Sequence, residues 1–193
     1  MTNSKQENSN HELAIDSIYT ALLQLMEKKE YSKISITDIT NRAGVSRMAY
    51  YRNYKSKDEI LTKRLEAVLN KFYDRVLQDK ENSDTSSKDA KEDFLINFMT
   101  NFFDEFQKDP VLRAIIKAGL IDKILELHRN FMYNIFKYIL DLDMDNAENQ
   151  RIMYYEMGGI AGLIMYCQSK DFKADSKLLA KEVLKQMKSD LEI

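Results

Sequence analysis

The chain has 193 residues, of which 44% are hydrophobic and 31% charged, so it can bury a core and remain soluble. Its single Pro and five Gly predict an all-α protein and exclude a fold built from strands and turns. No apolar run approaches the ~20 residues that span a bilayer. The first ten residues lack an apolar signal segment, and the lone Cys167 cannot form an internal disulfide. These features predict a cytoplasmic protein with no membrane segment.

The net charge of −2 is distributed unevenly along the chain. Eight basic residues and only two acidic ones lie between Lys28 and Lys57, so the rest of the chain is acidic. Such an island indicates either a small nucleic-acid-binding head on an acidic body or simply a solvated positive loop. Charge alone does not decide between them.

The first predicted helix runs from about His11 to Lys29, with Ala14, Ile18, Leu22 and other apolar residues at helical spacing on one face. A second, short helix follows. Ser35 with Asp38 forms a capping box at its start, and Gly44 ends it.

A third short helix is predicted from Ser46, which can cap its start, to about Arg52. The sequence Ser56-Lys57-Asp58-Glu59 predicts another capping box, which opens a long helix from Asp58 to about Gln78. Two short helices joined by a Gly-containing turn are typical of a helix-turn-helix.

The remainder of the chain also has helical periodicity. A polar stretch over residues 79–91 predicts a loop, after which Phe94, Phe98, Phe102 and Phe106 recur every four residues. Asp109-Pro110 predicts a helix start, and further helices are expected over residues 120–140, over residues 150–166 and after Lys173, with an acidic loop at 141–148. In total the sequence predicts about nine helices and no strand.

The run ISITDITNRAGVSRMAYYRNYKSKDEIL resembles the DNA-binding signature of the TetR family of bacterial transcriptional regulators. The similarity covers the capped short helix, the AGVS turn, the aromatic pair Tyr50-Tyr51, and the start of the next helix. It implies an N-terminal three-helix helix-turn-helix domain over residues 1–57. A larger C-terminal helical bundle over residues 58–193 would bind a ligand and form a homodimer.

The resemblance also implies which residues contact double-stranded operator DNA. Thr37 and Ser46 would meet phosphates or base edges, and Arg47 would face bases in the major groove, where an Arg can bind guanine bidentately. Met48 departs from the small residue or Pro common in the family and would make an apolar contact. Four further residues would hold the DNA backbone: Tyr51, Arg52, Asn53 and Lys57. Tyr50 and Tyr54 are expected in the core.

The predicted ligand and dimer residues lie in the C-terminal bundle. An apolar stripe there lines either a cavity for a small apolar effector or simply the core; its candidate ligand residues are Phe98, Phe102, Met132, Phe136, Met153 and Met157. The glycines of the segment 150–166 allow close helix approach, which fits either a dimer interface or a buried core helix. The candidate interface residues are Gly158, Gly162, Leu163, Leu179, Val183 and Met187.

These observations favour a ligand-responsive dimeric repressor. The alternative is a helical interaction protein that acts through a protein partner rather than by binding an operator. No nucleophile-base arrangement or phosphate-binding Gly loop is present, so the sequence predicts no enzyme and no cofactor. The chain has only one histidine besides His128, and Cys167 is expected to be a buried small apolar residue. No metal site is therefore predicted.

Overall fold

The structure is a computed structural model that describes residues 2–83 and 87–191, and in that part of the chain it contains helices and no strand. The nine α-helices of these described ranges are α1 Thr2–Met26, α2 Ile36–Ala43, α3 Arg47–Asn53, α4 Lys57–Asn82, α5 Lys88–Lys108, α6 Pro110–Ala118, α7 Ile121–Asn134, α8 Ala147–Ser169 and α9 Ser176–Leu191. A short 3₁₀ turn at Tyr31–Lys33 precedes α2, and a π-helical segment at Ile135–Ile139 continues α7. The predicted all-α fold is confirmed.

The chain divides into two compact units. The first comprises residues 1–65 and 111–121, and the second comprises residues 66–110 and 122–193. The domain limits expected from the sequence, 1–57 and 58–193, remain a prediction.

In the first unit, α1, α2 and α3 pack against one another. Their shared core includes Ile18 and Leu22 of α1, Ile39 of α2 and Tyr50 of α3, none of which is measurably exposed. The Lys117 ammonium of α6 donates to the carbonyl oxygen of Met26, which lies in the last turn of α1 where backbone carbonyls lack helical partners.

In the second unit, α5 packs along α9, and α9 also packs against α8. The predicted Phe stripe of α5 turns inward: Phe98, Phe102 and Phe106 are buried. Phe102 stacks on Phe131 of α7 with ring centroids 5.6 Å apart. The core of this unit is therefore an aromatic cluster, to which α9 contributes Leu179, Val183 and Met187.

Several helix limits differ from those expected. The helix expected from about His11 begins at Thr2, and the helix expected to end at about Gln78 continues to Asn82. Because α5 starts at Lys88, capped by Ser87, the predicted loop over 79–91 shortens to residues 83–87, of which 84–86 lie outside the described residues.

The helix expected over residues 120–140 changes character before it ends. At Ile135 the backbone widens into a π-helical turn, in which the Leu140 N–H donates to the Ile135 carbonyl oxygen at 3.0 Å. Asp141 then adopts φ of 57°, the left-handed conformation that Asp tolerates better than most residues, and the helix stops. Further on, α8 starts at Ala147 inside the expected acidic loop, because the Asn146 side-chain oxygen accepts from the Glu148 N–H at 2.7 Å.

Candidate functional site

The frame of the helix-turn-helix is set by side chains that cap its two helices. The Ser35 hydroxyl accepts from the Asp38 N–H at 3.1 Å, and the Asp38 carboxylate accepts from the Ser35 N–H at 2.8 Å, so the predicted capping box is present. Gly44 ends α2 with φ of 69°. The Ser46 hydroxyl accepts from the Ala49 N–H at 3.0 Å and starts α3, as predicted. Short-range hydrogen bonds therefore fix where the turn lies.

The inner side of α3 is anchored by tyrosines. Tyr50 is 0% exposed and Tyr54 is buried, as predicted, and their ring centroids lie 5.8 Å apart. Burial raises the pKa of Tyr50 to about 12, so its hydroxyl stays neutral at physiological pH. Tyr51 meets the Tyr50 ring edge-on at 5.3 Å, yet half of its surface stays accessible. The buried pair therefore fixes the helix, while Tyr51 remains on the surface.

The outer side of the helix-turn-helix presents most of the predicted DNA-binding residues together. Thr37, Ser46 and Arg52 are exposed, as is Arg47 in the first turn of α3. Met48 is 78% exposed, an unusual position for an apolar side chain. Within the described residues, the guanidinium groups of Arg47 and Arg52 make no ion pair or hydrogen bond. These cations are therefore available to an external partner.

Two predicted residues make internal hydrogen bonds instead. Asn53 is half-buried, and its amide donates to the Ala49 carbonyl oxygen at 2.8 Å, one turn back in α3. The Lys57 ammonium donates to the carbonyl oxygens of Tyr31 at 2.6 Å, Ile34 at 3.0 Å and Ser32 at 3.4 Å. It also lies over the Tyr31 ring, 4.4 Å from its centroid. A phosphate contact by Lys57, which stays a prediction, requires the ammonium to leave these carbonyls.

Other cations of the basic island are also engaged within the first unit. Lys29 pairs with Asp38 at 2.9 Å, and Arg42 donates to the Gln24 side chain at 2.7 Å. The Lys29 ammonium and the Ser35 donors hold the pKa of Asp38 well below its usual range. The sequence did not show which cations of the basic island are paired within the protein. Lys29 and Asp38, for example, are nine residues apart, and no local pattern pairs them.

A small apolar cavity lies in the second unit. It has a volume of about 20 Å³, and an apolar lining of this size has room for about one water but no partner for it. Three of the predicted ligand residues, Phe98, Phe102 and Met132, line the cavity. Phe136, Met153 and Met157 are buried but do not line it. The remaining lining residues were not predicted to bind a ligand, although Val183 and Met187 were predicted at the dimer interface. They are Met99, Phe103, Phe131, Ile135, Ile160, Val183 and Met187.

The predicted dimer residues fall into two groups. Gly158 and Gly162 of α8 are exposed and Leu163 is half-buried, whereas Leu179, Val183 and Met187 are buried within the subunit's own core. Large side chains of α8 are exposed beside the glycines; they are Tyr154, Tyr155, Met165 and Tyr166. The accessible apolar surface thus belongs to α8 rather than to the predicted α9 positions.

The two residues considered for other chemistry are both buried. Burial lowers the pKa of His128 to about 4, so its imidazole is neutral at pH 7, and burial raises the pKa of the Cys167 thiol. Within the described residues, no three His, Cys, Asp or Glu side chains lie close enough to hold a metal ion. In the same part of the chain, none of the helices is long and apolar enough to cross a bilayer.

Comparison with known proteins supports the assignment of the first unit. Residues 18–63 match the model of the family described as bacterial regulatory proteins, tetR family. The uncharacterized HTH-type transcriptional regulator YxbF from Bacillus subtilis (strain 168) is 22% identical over 163 residues, which are 83% of this chain and 40% of that protein. The chain thus spans less than half the length of this relative.

Two solved structures share the fold across most of the chain. The fatty acid degradation regulator FadR from Bacillus halodurans matches with a TM-score of 0.68 at 17% identity, covering 92% of this chain and 96% of that one. FadR from Bacillus subtilis in complex with stearoyl-CoA matches with a TM-score of 0.56 at 15% identity, covering 93% and 98%. The family is one of regulators and not of enzymes. The helix-turn-helix region of this chain, residues 18–63, therefore matches the tetR family of bacterial regulatory proteins.

Proposed function

We propose that this protein is a cytoplasmic repressor that binds operator DNA as a homodimer and releases it when a small apolar effector binds the second unit. The observation that carries the proposal is the outer side of α3, where Arg47 and Tyr51 are exposed while buried Tyr50 anchors the helix from behind. An anchored helix with an unpaired arginine, Arg47, at its leading end suits insertion into a major groove.

The contacts to DNA would divide into base recognition and backbone binding. Arg47, in the first turn of α3, would bind a guanine edge, and exposed Met48 would contact a thymine methyl. Thr37, Ser46, Tyr51 and Arg52 would bind phosphates around it. Only the base contacts discriminate between sequences, so Arg47 would set the preference and the others the overall affinity.

A dimer would provide two such helices. Helix-turn-helix dimers read two half-sites about 34–36 Å apart, one turn of DNA. Exposed Gly158 and Gly162, flanked by exposed tyrosines of α8, offer a surface on which a second copy can approach closely. Leu179, Val183 and Met187 would support that surface from within the subunit, since they are already buried there.

The effector would bind where the second unit has its apolar cavity. With a volume of about 20 Å³, that cavity is too small for an organic ligand, because ligand sites commonly have volumes of ~300–1,000 Å³. Effector binding would therefore select a conformation in which the aromatic cluster opens. The B. subtilis FadR structure holds stearoyl-CoA, which supports a long apolar chain as the occupant. Helix α4, which runs from Lys57 to Asn82, would couple the two sites.

The test is DNA binding by matched arginine variants. Operator sequences are first selected from a random duplex library, and binding is followed by fluorescence anisotropy at several salt concentrations. Arg47→Ala should lose about tenfold or more in affinity for the selected sequence and discriminate poorly between bases. Arg151→Ala, which removes an exposed arginine from α8, should bind like the parent protein.

Two outcomes would contradict the proposal. If no salt-sensitive binding is selected, the chain works through a protein partner instead of an operator. If Arg47→Ala retains full affinity and preference, α3 is not the recognition helix. The dimer is tested separately by light scattering, where Gly162→Arg should yield a folded monomer of half the parental mass.

A further inference from the structure

A polar groove lies within the second unit between α4 and α5. Its volume is about 480 Å³, which is within the range of small-molecule sites. Phe72, Val76 and Phe98 supply apolar side chains to it. The remaining lining residues are Arg75, Asp79, Asn82, Ser83, Ala90, Asp93, Phe94, Asn97 and Asn101. The groove therefore combines aromatic surface with many hydrogen-bonding groups.

The charge of this groove is negative. Its one cation, Arg75, pairs with Glu105 at 2.7 Å and lies over the Phe72 ring. The nearby Lys80 ammonium is held by Asp141 at 2.7 Å and by the Tyr138 carbonyl oxygen at 2.8 Å. Asp79 also acts electrostatically on Arg75, whereas Asp93 forms no ion pair within the described residues. The lining holds two carboxylates and one guanidinium, and that guanidinium is itself paired with Glu105. This excess of negative charge beside aromatic rings favours a cation over a carboxylate or phosphate.

The groove and the apolar cavity share one lining residue. Phe98, which is 7% exposed, lines both spaces. The Phe72 ring lies beside it on the groove side, 5.8 Å from the Phe98 centroid and 5.8 Å from the Phe102 centroid. We expect a change of rotamer at Phe98 to connect the groove to the cavity.

We propose that this groove is the head-group subsite of the effector, which is an amphipathic organic cation. Its apolar tail passes Phe98 into the aromatic core, while its amine lies between Asp79 and Asp93 and donates to the asparagine side chains of the groove. The inference rests on the proposed response to an effector, and it adds the chemistry of the head group and the route of the tail.

The experiment uses a fluorescent reporter at the shared wall. The chain contains no Trp, so Phe98→Trp introduces a single indole between groove and cavity. Its emission is followed during titration with decylamine, decanol and decanoate, all below their aggregation thresholds. The three probes have equal tails and differ in head charge. Thermal shifts of the unsubstituted protein with the same probes give a measurement that is free of the substitution.

We expect decylamine to bind most tightly and decanoate most weakly. Asp79→Asn and Asp93→Asn should each weaken decylamine about fivefold and leave decanol unchanged, because a charge pair near ~4 Å in water contributes about that factor. The matched control is Asp74→Asn, an exposed α4 carboxylate outside the groove, which should change neither affinity.

Other results would overturn the subsite. If the three probes bind equally and the Asn variants bind like the parent, the head group lies elsewhere, although an effector site in the core stands. If decanoate binds best, the head-group chemistry is wrong. If no probe changes the emission or the melting temperature, the groove is not a ligand site. Operator binding by the same preparations, measured in parallel, reports separately on the proposed function.

Discussion

Replacing Lys57 by Met tests whether this lysine holds the protein together or holds DNA. Met keeps the aliphatic stem near the Tyr31 ring and removes the three donor hydrogens. The ammonium makes two short bonds, to Tyr31 and Ile34, and a longer one to Ser32. A hydrogen bond from a charged group contributes about 1.5–3 kcal/mol when buried.

Because Lys57 is only half-buried, water replaces part of this energy, and we expect a loss of about 2 kcal/mol in the free energy of unfolding. For a chain of this length that corresponds to a melting temperature lower by roughly 4–8 °C. The substitution would weaken the contact between the 3₁₀ turn and the start of α4, because the lost hydrogen bonds join these two segments. Operator affinity should then weaken through misplacement of the helices, with no change in the number of phosphates contacted.

Thermal denaturation and the salt dependence of operator binding distinguish the two roles. For Lys57→Met we expect the lower melting temperature and an unchanged slope of log K against log salt. The control is Lys55→Met, since the Lys55 ammonium is exposed and makes no ion pair among the described residues; its melting temperature should stay at the parental value. The reasoning is refuted if Lys57→Met keeps its stability while the slope falls by about 0.9 for each head, which is the signature of a lost phosphate contact.

Three further predictions concern stability. Gly44→Ala should lower the free energy of unfolding, measured by chemical denaturation, by about 1–2 kcal/mol, because a residue with a Cβ is strained at φ of 69° even though no neighbouring atom lies within 4 Å. An equal loss for Gly162→Ala, where the backbone is helical, would argue against this cause. The pKa of Asp38 is lowered in the fold, so its contribution to stability is present above the ordinary pKa of about 3.9 and is lost as the pH falls below that value. In a plot of melting temperature against pH, Asp38→Asn should therefore flatten the fall at acid pH, and an unaltered fall would exclude Asp38 as its source. The pKa of His128 is lowered to about 4, so the free energy of unfolding should fall by up to about 3 kcal/mol as the pH decreases from about 6.5 to 4. The melting temperature should vary less over this range in His128→Leu, and an equal variation in both proteins would contradict this reasoning.

Local features of this protein were predictable because their causes lie within a few residues. The capping box of Ser35 with Asp38, the left-handed Gly44 and the cap at Ser46 each involve groups at most four positions apart. Ser56 was expected to form a second capping box with Glu59, and its hydroxyl does accept from the Glu59 N–H at 3.4 Å. The Glu59 carboxylate, however, accepts from the Lys55 N–H at 2.8 Å instead of from the Ser56 N–H. Here two backbone donors compete for one carboxylate, and the chain path before α4 decides between them.

The apolar periodicity was sufficient to predict the helices and the inward side of α5, since an amphipathic stripe must be covered by something. It did not say what covers each stripe. Leu179, Val183 and Met187 look the same in sequence whether they meet a second copy or their own subunit, and the structure buries them in their own core. The apolar cavity and the polar groove, which share Phe98 as a lining residue, likewise depend on how the helices of the second unit pack.

The amino-acid sequence by itself determined the all-helical fold, the position of the helix-turn-helix and the place of Arg47 at the start of α3, because short-range capping and periodicity dictate them. Only the tertiary structure decided that Lys57 and Lys29 are bound within the protein while Arg47 and Arg52 remain free. The sequence shows where each charged side chain lies along the chain. Whether it is available to a partner depends on which carbonyls and carboxylates, distant in the chain, the fold brings within its reach.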